Sequence, residues 1–157
     1  MRSNCPKRIG WLAGALVFAA GCFQDSTPQH SAFLPTNTSY HSTFQQVRNC
    51  RLVTAHDNHY EVVFANDVAS DPYITASYPL PVGSVVVAEE HGDPSCNSLV
   101  GYKLMAKETP GYDSANGDWH WQQLDDNQRV LKDGRLTACS TCHATTTPPC
   151  NDYLCAR

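Results

Sequence analysis

The chain has 157 residues and a formal net charge of −4 at pH 7, which suits a single acidic domain. An acidic surface repels phosphate backbones, so nucleic acid is excluded as an expected partner. Eight cysteines and seven histidines could serve disulfides, metal sites or a covalent cofactor, and their spacing has to decide among these uses.

Residues 1–21 are predicted to be a signal peptide and not part of the fold. Three basic residues in the first eight positions form a positive region, and the apolar run Ile9–Ala20 follows it. That run is shorter than the roughly 20 apolar residues that a transmembrane helix requires. Cleavage removes three basic residues and no acidic ones, which leaves a net charge of −7 on residues 22–157.

Cys22 is predicted to carry the lipid of a bacterial lipoprotein. Ala20 and Gly21 precede it as in a lipobox, although Ala19 stands where leucine is commonest. Ordinary signal cleavage and an uncleaved anchor are the alternatives. Residues 22–39 are rich in Ser, Thr, Pro, Gln and Asn and are expected to form a flexible tether. The protein would then be exported and held at the bacterial outer membrane or in the periplasm, touching the membrane through its lipid anchor only.

Residues 40–157 are predicted to form a mainly β domain of the α+β class, with an antiparallel sheet and a few short helices. Asp67 is expected to cap a helix that Pro72 limits to about one or two turns. A second short helix is expected near the C-terminus, at Arg135–His143. The predicted strands, from β-branched and aromatic runs or from apolar alternation, are Tyr60–Asn66, Ser84–Glu89, Asn97–Lys107 and Trp119–Leu124.

The C-terminal helix would contain a CxxCH motif, in which Cys139 and Cys142 are followed directly by His143. This spacing is the attachment signature of a c-type haem, because two thiols add to two vinyl groups at one porphyrin edge and the next residue offers its imidazole to the iron. One covalent haem c is therefore expected. A redox dithiol, half of a zinc site and a chance match are the alternatives. A zinc site lacks its second ligand pair, and a thioredoxin-like motif normally stands early in a βαβ unit.

Four further cysteines follow the signal peptide and have neither lipid nor haem to bind: Cys50, Cys96, Cys150 and Cys155. An even number in an oxidising compartment predicts two disulfides, for which three pairings exist. Cys150 and Cys155 are close enough to pair locally, which would join Cys50 to Cys96. Otherwise the C-terminal tail is tied to the sheet through Cys50 or Cys96. Metal binding is the competing interpretation, but paired ligand spacing is missing.

Six segments follow one another in an order that resembles the cytochrome P-460 family: TAHDNHYEVVFAND, YPLPVGSVVVAEE, LVGYKLMAK, GYDSANGDWHWQQL, CSTCH and DYLCA. The resemblance covers residues 40–157. It implies a β-rich fold, a homodimer, and one c-type haem per subunit whose iron has histidine on one side and an open face on the other. Catalytic members oxidise hydroxylamine with NO as intermediate or product, and the related beta-type cytochromes c′ bind NO and other small gases.

One position departs from the catalytic members. A lysine in the strand after their PxG turn forms an extra covalent bond to the porphyrin, and that position falls on Ala88 here. Alanine has no amine, so the chain resembles the non-cross-linked, gas-binding branch more closely. Lys103 or Lys107 would substitute only if the strand register brings one of them to the haem edge.

His56, Ala88 and Glu89 are the residues expected at the distal pocket. His56 stands where many family members have a histidine, with a solvated turn as the alternative, and strand alternation allows only one of Glu89 and Glu90 to face the haem. Met105 is the only methionine after Met1 and hence the only one available for His/Met ligation. Core packing is its alternative role.

These patterns predict an exported, lipid-anchored mono-haem c-type cytochrome that binds NO or a related small nitrogen species at an open iron. An enzyme that oxidises hydroxylamine or NO, a His/Met-ligated electron-transfer cytochrome, and a haem-free disulfide-stabilised binding module are the alternatives. The expected partners are a small gas or nitrogen-oxide ligand, a redox partner protein and a second copy of the chain.

Overall fold

The computed structural model describes residues 40–145 and 150–155. They form a six-stranded antiparallel sheet with its strands in chain order, so the predicted class is confirmed. The predicted signal peptide (1–21), Cys22 and the tether (22–39) lie outside the described residues. The strands are β1 (Gln45–Val53), β2 (His59–Ala65), β3 (Val85–His91), β4 (Leu99–Lys107), β5 (Trp119–Asp125) and β6 (Val130–Gly134), and the helices are α1 (Asp67–Thr75) and α2 (Thr137–Thr145).

The four strands that the sequence predicts are the central ones, β2 to β5, and the two edge strands were missed. The central strands carry apolar side chains on both faces, which gives the β-branched runs that sequence patterns detect. The edge strands β1 (QQVRNCRLV) and β6 (VLKDG) are mostly polar and exposed or half-buried. Polar edge strands are a common way to prevent pairing with another chain. Because they lack an apolar run, the sequence pattern does not identify them as strands.

Helix α1 begins one residue later than its cap, which is Asn66 and not the predicted Asp67. The Asn66 side-chain oxygen accepts from the backbone N–H of Ala69 at 3.1 Å and from that of Val85 at 3.0 Å. It therefore joins the helix start to β3, while Asp67 lies in the first turn. Pro72 lies inside this nine-residue helix without ending it.

Each face of the sheet carries its own apolar cluster. The face that we call the helical face presents Val63, Ala65, Val86, Met105 and Trp121, against which α1 packs Ala69 and Tyr73. The opposite face presents Phe64, Val87, Tyr102, Leu104 and Leu124, together with Tyr40. Antiparallel register keeps these two sets apart, because successive side chains of a strand point to opposite faces.

Two disulfides are present, as predicted, in the arrangement with a local C-terminal pair. Cys50 of β1 bonds to Cys96 in the loop between β3 and β4, and Cys150 bonds to Cys155. The alternative, in which the tail is tied to the sheet through Cys50 or Cys96, is thereby ruled out. Within the described part of the chain, no helix is both long and apolar enough to cross a membrane.

The two disulfides should differ in their effect on stability. Their sequence separations are 46 residues for Cys50–Cys96 and 5 residues for Cys150–Cys155. A closed loop restricts the unfolded chain more when it is longer, so Cys50→Ala/Cys96→Ala should lower the free energy of unfolding by about 4 kcal/mol and Cys150→Ala/Cys155→Ala by about 2 kcal/mol. Urea unfolding of the mature domain measures both losses, and equal losses would contradict the loop argument.

Candidate functional site

A cavity of about 670 Å³ lies between the helical face of the sheet and α2. Its volume falls within the range of about 300–1,000 Å³ that cofactor and small-molecule sites occupy. The three residues of the CxxCH motif all contribute to its wall. The sheet side of the wall is apolar in its middle and includes Val63, Val86, Ala88, Met105 and Trp121.

Cys139 and Cys142 lie three residues apart on α2, so both thiols project from one side of the helix. They are the free cysteines of residues 40–145 and 150–155, where the other four are bonded in disulfides. Burial raises the pKa of the Cys139 thiol, and the nearby Lys103 and Lys132 only partly oppose this. A redox dithiol depends on a lowered thiol pKa, so this environment argues against the thioredoxin-like alternative.

His143 is held by its Nδ1 atom, which lies 2.5 Å from the backbone carbonyl oxygen of Tyr153. A carbonyl only accepts hydrogen bonds, so Nδ1 carries the hydrogen and Nε2 keeps its lone pair. The Trp121 ring packs edge-on against the imidazole at 4.8 Å between centroids. Burial lowers the pKa of His143, which keeps the ring neutral at pH 7.

These residues fit a covalently attached haem. Such a group needs two unpaired thiols at the right spacing, a neutral imidazole with one free nitrogen, and an apolar cavity beside them. The cavity wall also contains the cationic side chain of Arg51, which suits a carboxylate of a haem.

The structure separates the three residues predicted for the distal pocket. His56 and Ala88 line the cavity. Glu89 does not, and its selection was wrong: it lies on the opposite face, where it accepts hydrogen bonds from Tyr40 and, at 2.7 Å, from His41. Alternation along β3 puts Glu90 on the same face as Ala88.

Lys103 reaches the cavity and Lys107 does not. Lys103 is paired with Ala88 across the β3–β4 register, and both residues line the cavity. The Lys103 ammonium donates to the buried carboxylate of Glu90. Lys107 instead forms an ion pair with Asp152 at 2.6 Å and lies over the Trp119 ring at 4.6 Å. Met105 is buried in the core of the helical face and also contributes to the cavity wall.

Arg48 and Glu61 form a polar wall that sequence patterns did not identify. Glu61 is 2% exposed, and its carboxylate pairs with the Arg48 guanidinium at 2.8 Å and with His56 Nδ1. Burial raises the pKa of Glu61, but the hydrogen bonds and charges of His56 and Arg48 outweigh burial and leave the pKa below its usual value.

The sequence pattern that could have identified Glu61 is present in YEVVFA, where strand alternation puts Glu61 on the same face as Val63. The signal for Arg48 was hidden because β1 was not recognised as a strand.

One group of ligand atoms within the described residues lies close enough to hold a metal ion. Atoms of His56, Glu61 and Glu90 lie within 4.8 Å of one another. Arg48 already neutralises Glu61, and Lys103 already neutralises Glu90. A divalent cation would have to displace both of these cations, so the group is better described as a network of ion pairs.

Neither the protein-family models nor the curated protein sequences contain a match to this chain.

Glu61 should make the stability of the domain sensitive to acid. A carboxyl whose pKa is lowered in the folded state stabilises the fold above its unfolded pKa, which is 4.5 for Glu, and loses that contribution as the pH falls through the lower folded value. In Glu61→Gln, the free energy of unfolding should therefore fall less steeply with pH below 4.5 than in wild type. Because the substitution leaves Arg48 without its charged partner, it should also lower the free energy of unfolding at pH 7 by about 3 kcal/mol.

Urea unfolding at pH 7 and in mild acid measures both effects. Asp126→Asn is the matched control, because Asp126 is exposed and its carboxylate accepts from the side-chain amide of the adjacent Asn127. A Glu61→Gln variant with an unchanged acid slope would contradict the role assigned to this carboxylate.

Proposed function

We propose that this protein is a mono-haem c-type cytochrome that resembles the non-cross-linked branch of the cytochrome P-460 family and binds NO or a related small nitrogen species. The observation that carries the proposal is the CxxCH motif on the cavity wall, with both thiols unpaired and His143 Nδ1 committed to a backbone carbonyl. The two disulfides use the other four cysteines of the described residues, so Cys139 and Cys142 are the two whose thiols are left for a cofactor.

In this proposal Cys139 and Cys142 form the thioethers and His143 Nε2 is the axial ligand atom. A haem held there would supply an iron that binds small nitrogen oxides. Val63, Val86 and Trp121 exclude water from the middle of the cavity, since each is apolar and at least half-buried. The Arg51 guanidinium on the cavity wall offers a partner to a haem carboxylate.

Ala88 supports the gas-binding assignment over the catalytic one. It occupies the cavity wall between Val63 of β2 and Lys103 of β4, and its methyl group cannot bond to a porphyrin. The proposal includes export, a lipid on Cys22 that holds the domain at the bacterial outer membrane or in the periplasm, a redox partner protein, and dimerisation of the chain.

A second function, oxidation of hydroxylamine, is favoured by one observation. Lys103 stands beside Ala88 on the cavity wall, so the register brings an amine next to the position where catalytic members have their cross-linking lysine. Against it, the Lys103 ammonium already donates to the buried Glu90 carboxylate.

The visible spectrum of the mature domain tests the lead proposal. After expression with a cytochrome c maturation system, we expect covalent haem, a high-spin ferric and ferrous spectrum, and a spectral shift on addition of NO. Cys139→Ala/Cys142→Ala should abolish covalent haem. His41→Ala should leave it unchanged, because this half-exposed histidine contacts the opposite face of the sheet.

Two results would contradict this proposal. Wild-type protein without covalent haem would refute the cytochrome assignment and favour a haem-free binding module. A low-spin spectrum that NO does not change would indicate a sixth protein ligand. Met105 would then be the first residue to replace, because it lines the cavity.

Mass spectrometry of the haem peptide separates the two functions. We expect the mass of two thioether bonds and no third bond, both in wild type and in Lys103→Arg, which keeps the charge that pairs with Glu90. A wild-type mass that links Lys103 to the haem, absent from Lys103→Arg, would instead establish the cross-linked enzyme.

A further inference from the structure

Residues 150–155 have an unusual backbone for a short tail. Asp152 and Tyr153 have φ values of 47° and 64°, in the left-handed region that bulky L-residues avoid. Two consecutive residues of this kind persist only where contacts with the rest of the protein impose them. The turn closes between Asn151 and Leu154 and presents the Tyr153 carbonyl to His143.

The contacts that impose this conformation converge on Asp152. Its carboxylate accepts from the backbone N–H of Leu80 at 2.7 Å and from the Lys107 ammonium at 2.6 Å. The Trp119 indole N–H donates to the Asp152 carbonyl at 3.0 Å. The Lys107 and Asp152 side chains are 10% and 8% exposed, so this ion pair is largely shielded from water and salt.

The neighbouring residues also hold the tail. Leu154 is buried in the core of the helical face, and the Cys150–Cys155 disulfide closes the turn on itself. Within the turn, the Leu154 N–H donates to the Asn151 carbonyl at 2.9 Å, which restrains the peptide plane that carries the Tyr153 carbonyl. The hydrogen bonds of Asp152, one residue earlier, fix the backbone from which that plane projects.

We propose that Asp152 is a positioning residue for His143. It acts through the Tyr153 carbonyl, which holds the hydrogen on Nδ1 and leaves Nε2 as the ligand atom. Lys107 and Trp119 contribute to this positioning, because they anchor Asp152 to β4 and β5. A carbonyl that accepts from Nδ1 also raises the basicity of the imidazole, so this hydrogen bond would make His143 a stronger axial ligand. This inference rests on the proposed haem function.

The test uses the mature, haem-loaded protein. Asp152→Ala should weaken the hydrogen bond at Nδ1, which lowers the iron–histidine stretching frequency in the ferrous resonance Raman spectrum and shifts the reduction potential upward. Asp152→Asn and Lys107→Gln preserve side-chain size and should shift both quantities in the same direction by smaller amounts. These two variants carry the test if Asp152→Ala loses cooperative unfolding.

Tyr153→Phe is the matched control. It retains the backbone carbonyl and removes only the phenol hydroxyl, which donates to the Ala115 carbonyl at 3.3 Å, so both spectroscopic quantities should match wild type. Folded, haem-loaded Asp152 and Lys107 variants with a wild-type stretching frequency and potential would overturn this inference alone. Wild-type protein without covalent haem would overturn the proposed function itself, so the two failures are distinguishable.

Discussion

The register of the four central strands is the constraint on which the rest of the structure depends. Val63, Ala88, Lys103 and Gln123 lie side by side across β2 to β5, and the next row contains Ala65, Val86, Met105 and Trp121. A shift of one residue in any strand would move its apolar set to the other face and replace the cavity wall with residues such as Glu89. Because the apolar clusters of both faces oppose such a shift, the sheet defines the cavity wall without help from α2.

The strand register also brings the charged residues of the helical face together in pairs of opposite charge. Glu61 and Glu90 are directly opposite each other on β2 and β3, and two buried carboxylates in that position would repel. Arg48 from β1 neutralises the first and Lys103 from β4 neutralises the second. The two cations therefore balance the two buried acids, and both cations also line the cavity.

Sequence patterns predicted the parts of this structure whose signals are local. Apolar runs identified β2 to β5, and the spacing of Cys150 and Cys155 made their pairing one of the options that the structure then selected. The edge strand β1 lacks an apolar pattern, so Arg48 could not be assigned to the cavity. Asn66 displaced Asp67 as the cap because it also bonds to Val85 of β3, a tertiary contact that no local pattern contains. Choosing between Glu89 and Glu90 required the phase of β3, which only the assembled sheet supplies.

Helix α2 shows why the site depends on its surroundings more than on its own sequence. It has nine residues, below the length at which isolated helices are stable in water, and Ser140 is its one buried residue. Its position is instead set by partial burial of Cys139 on the helical face and by the bond from His143 to the tail. The sheet thus supplies the cavity wall, while the helix that carries the CxxCH motif is held by its contacts with the sheet and the tail. A helix of this kind gains order from whatever its side chains bind, so binding of a covalent group at the CxxCH motif and folding of the C-terminal region would reinforce each other.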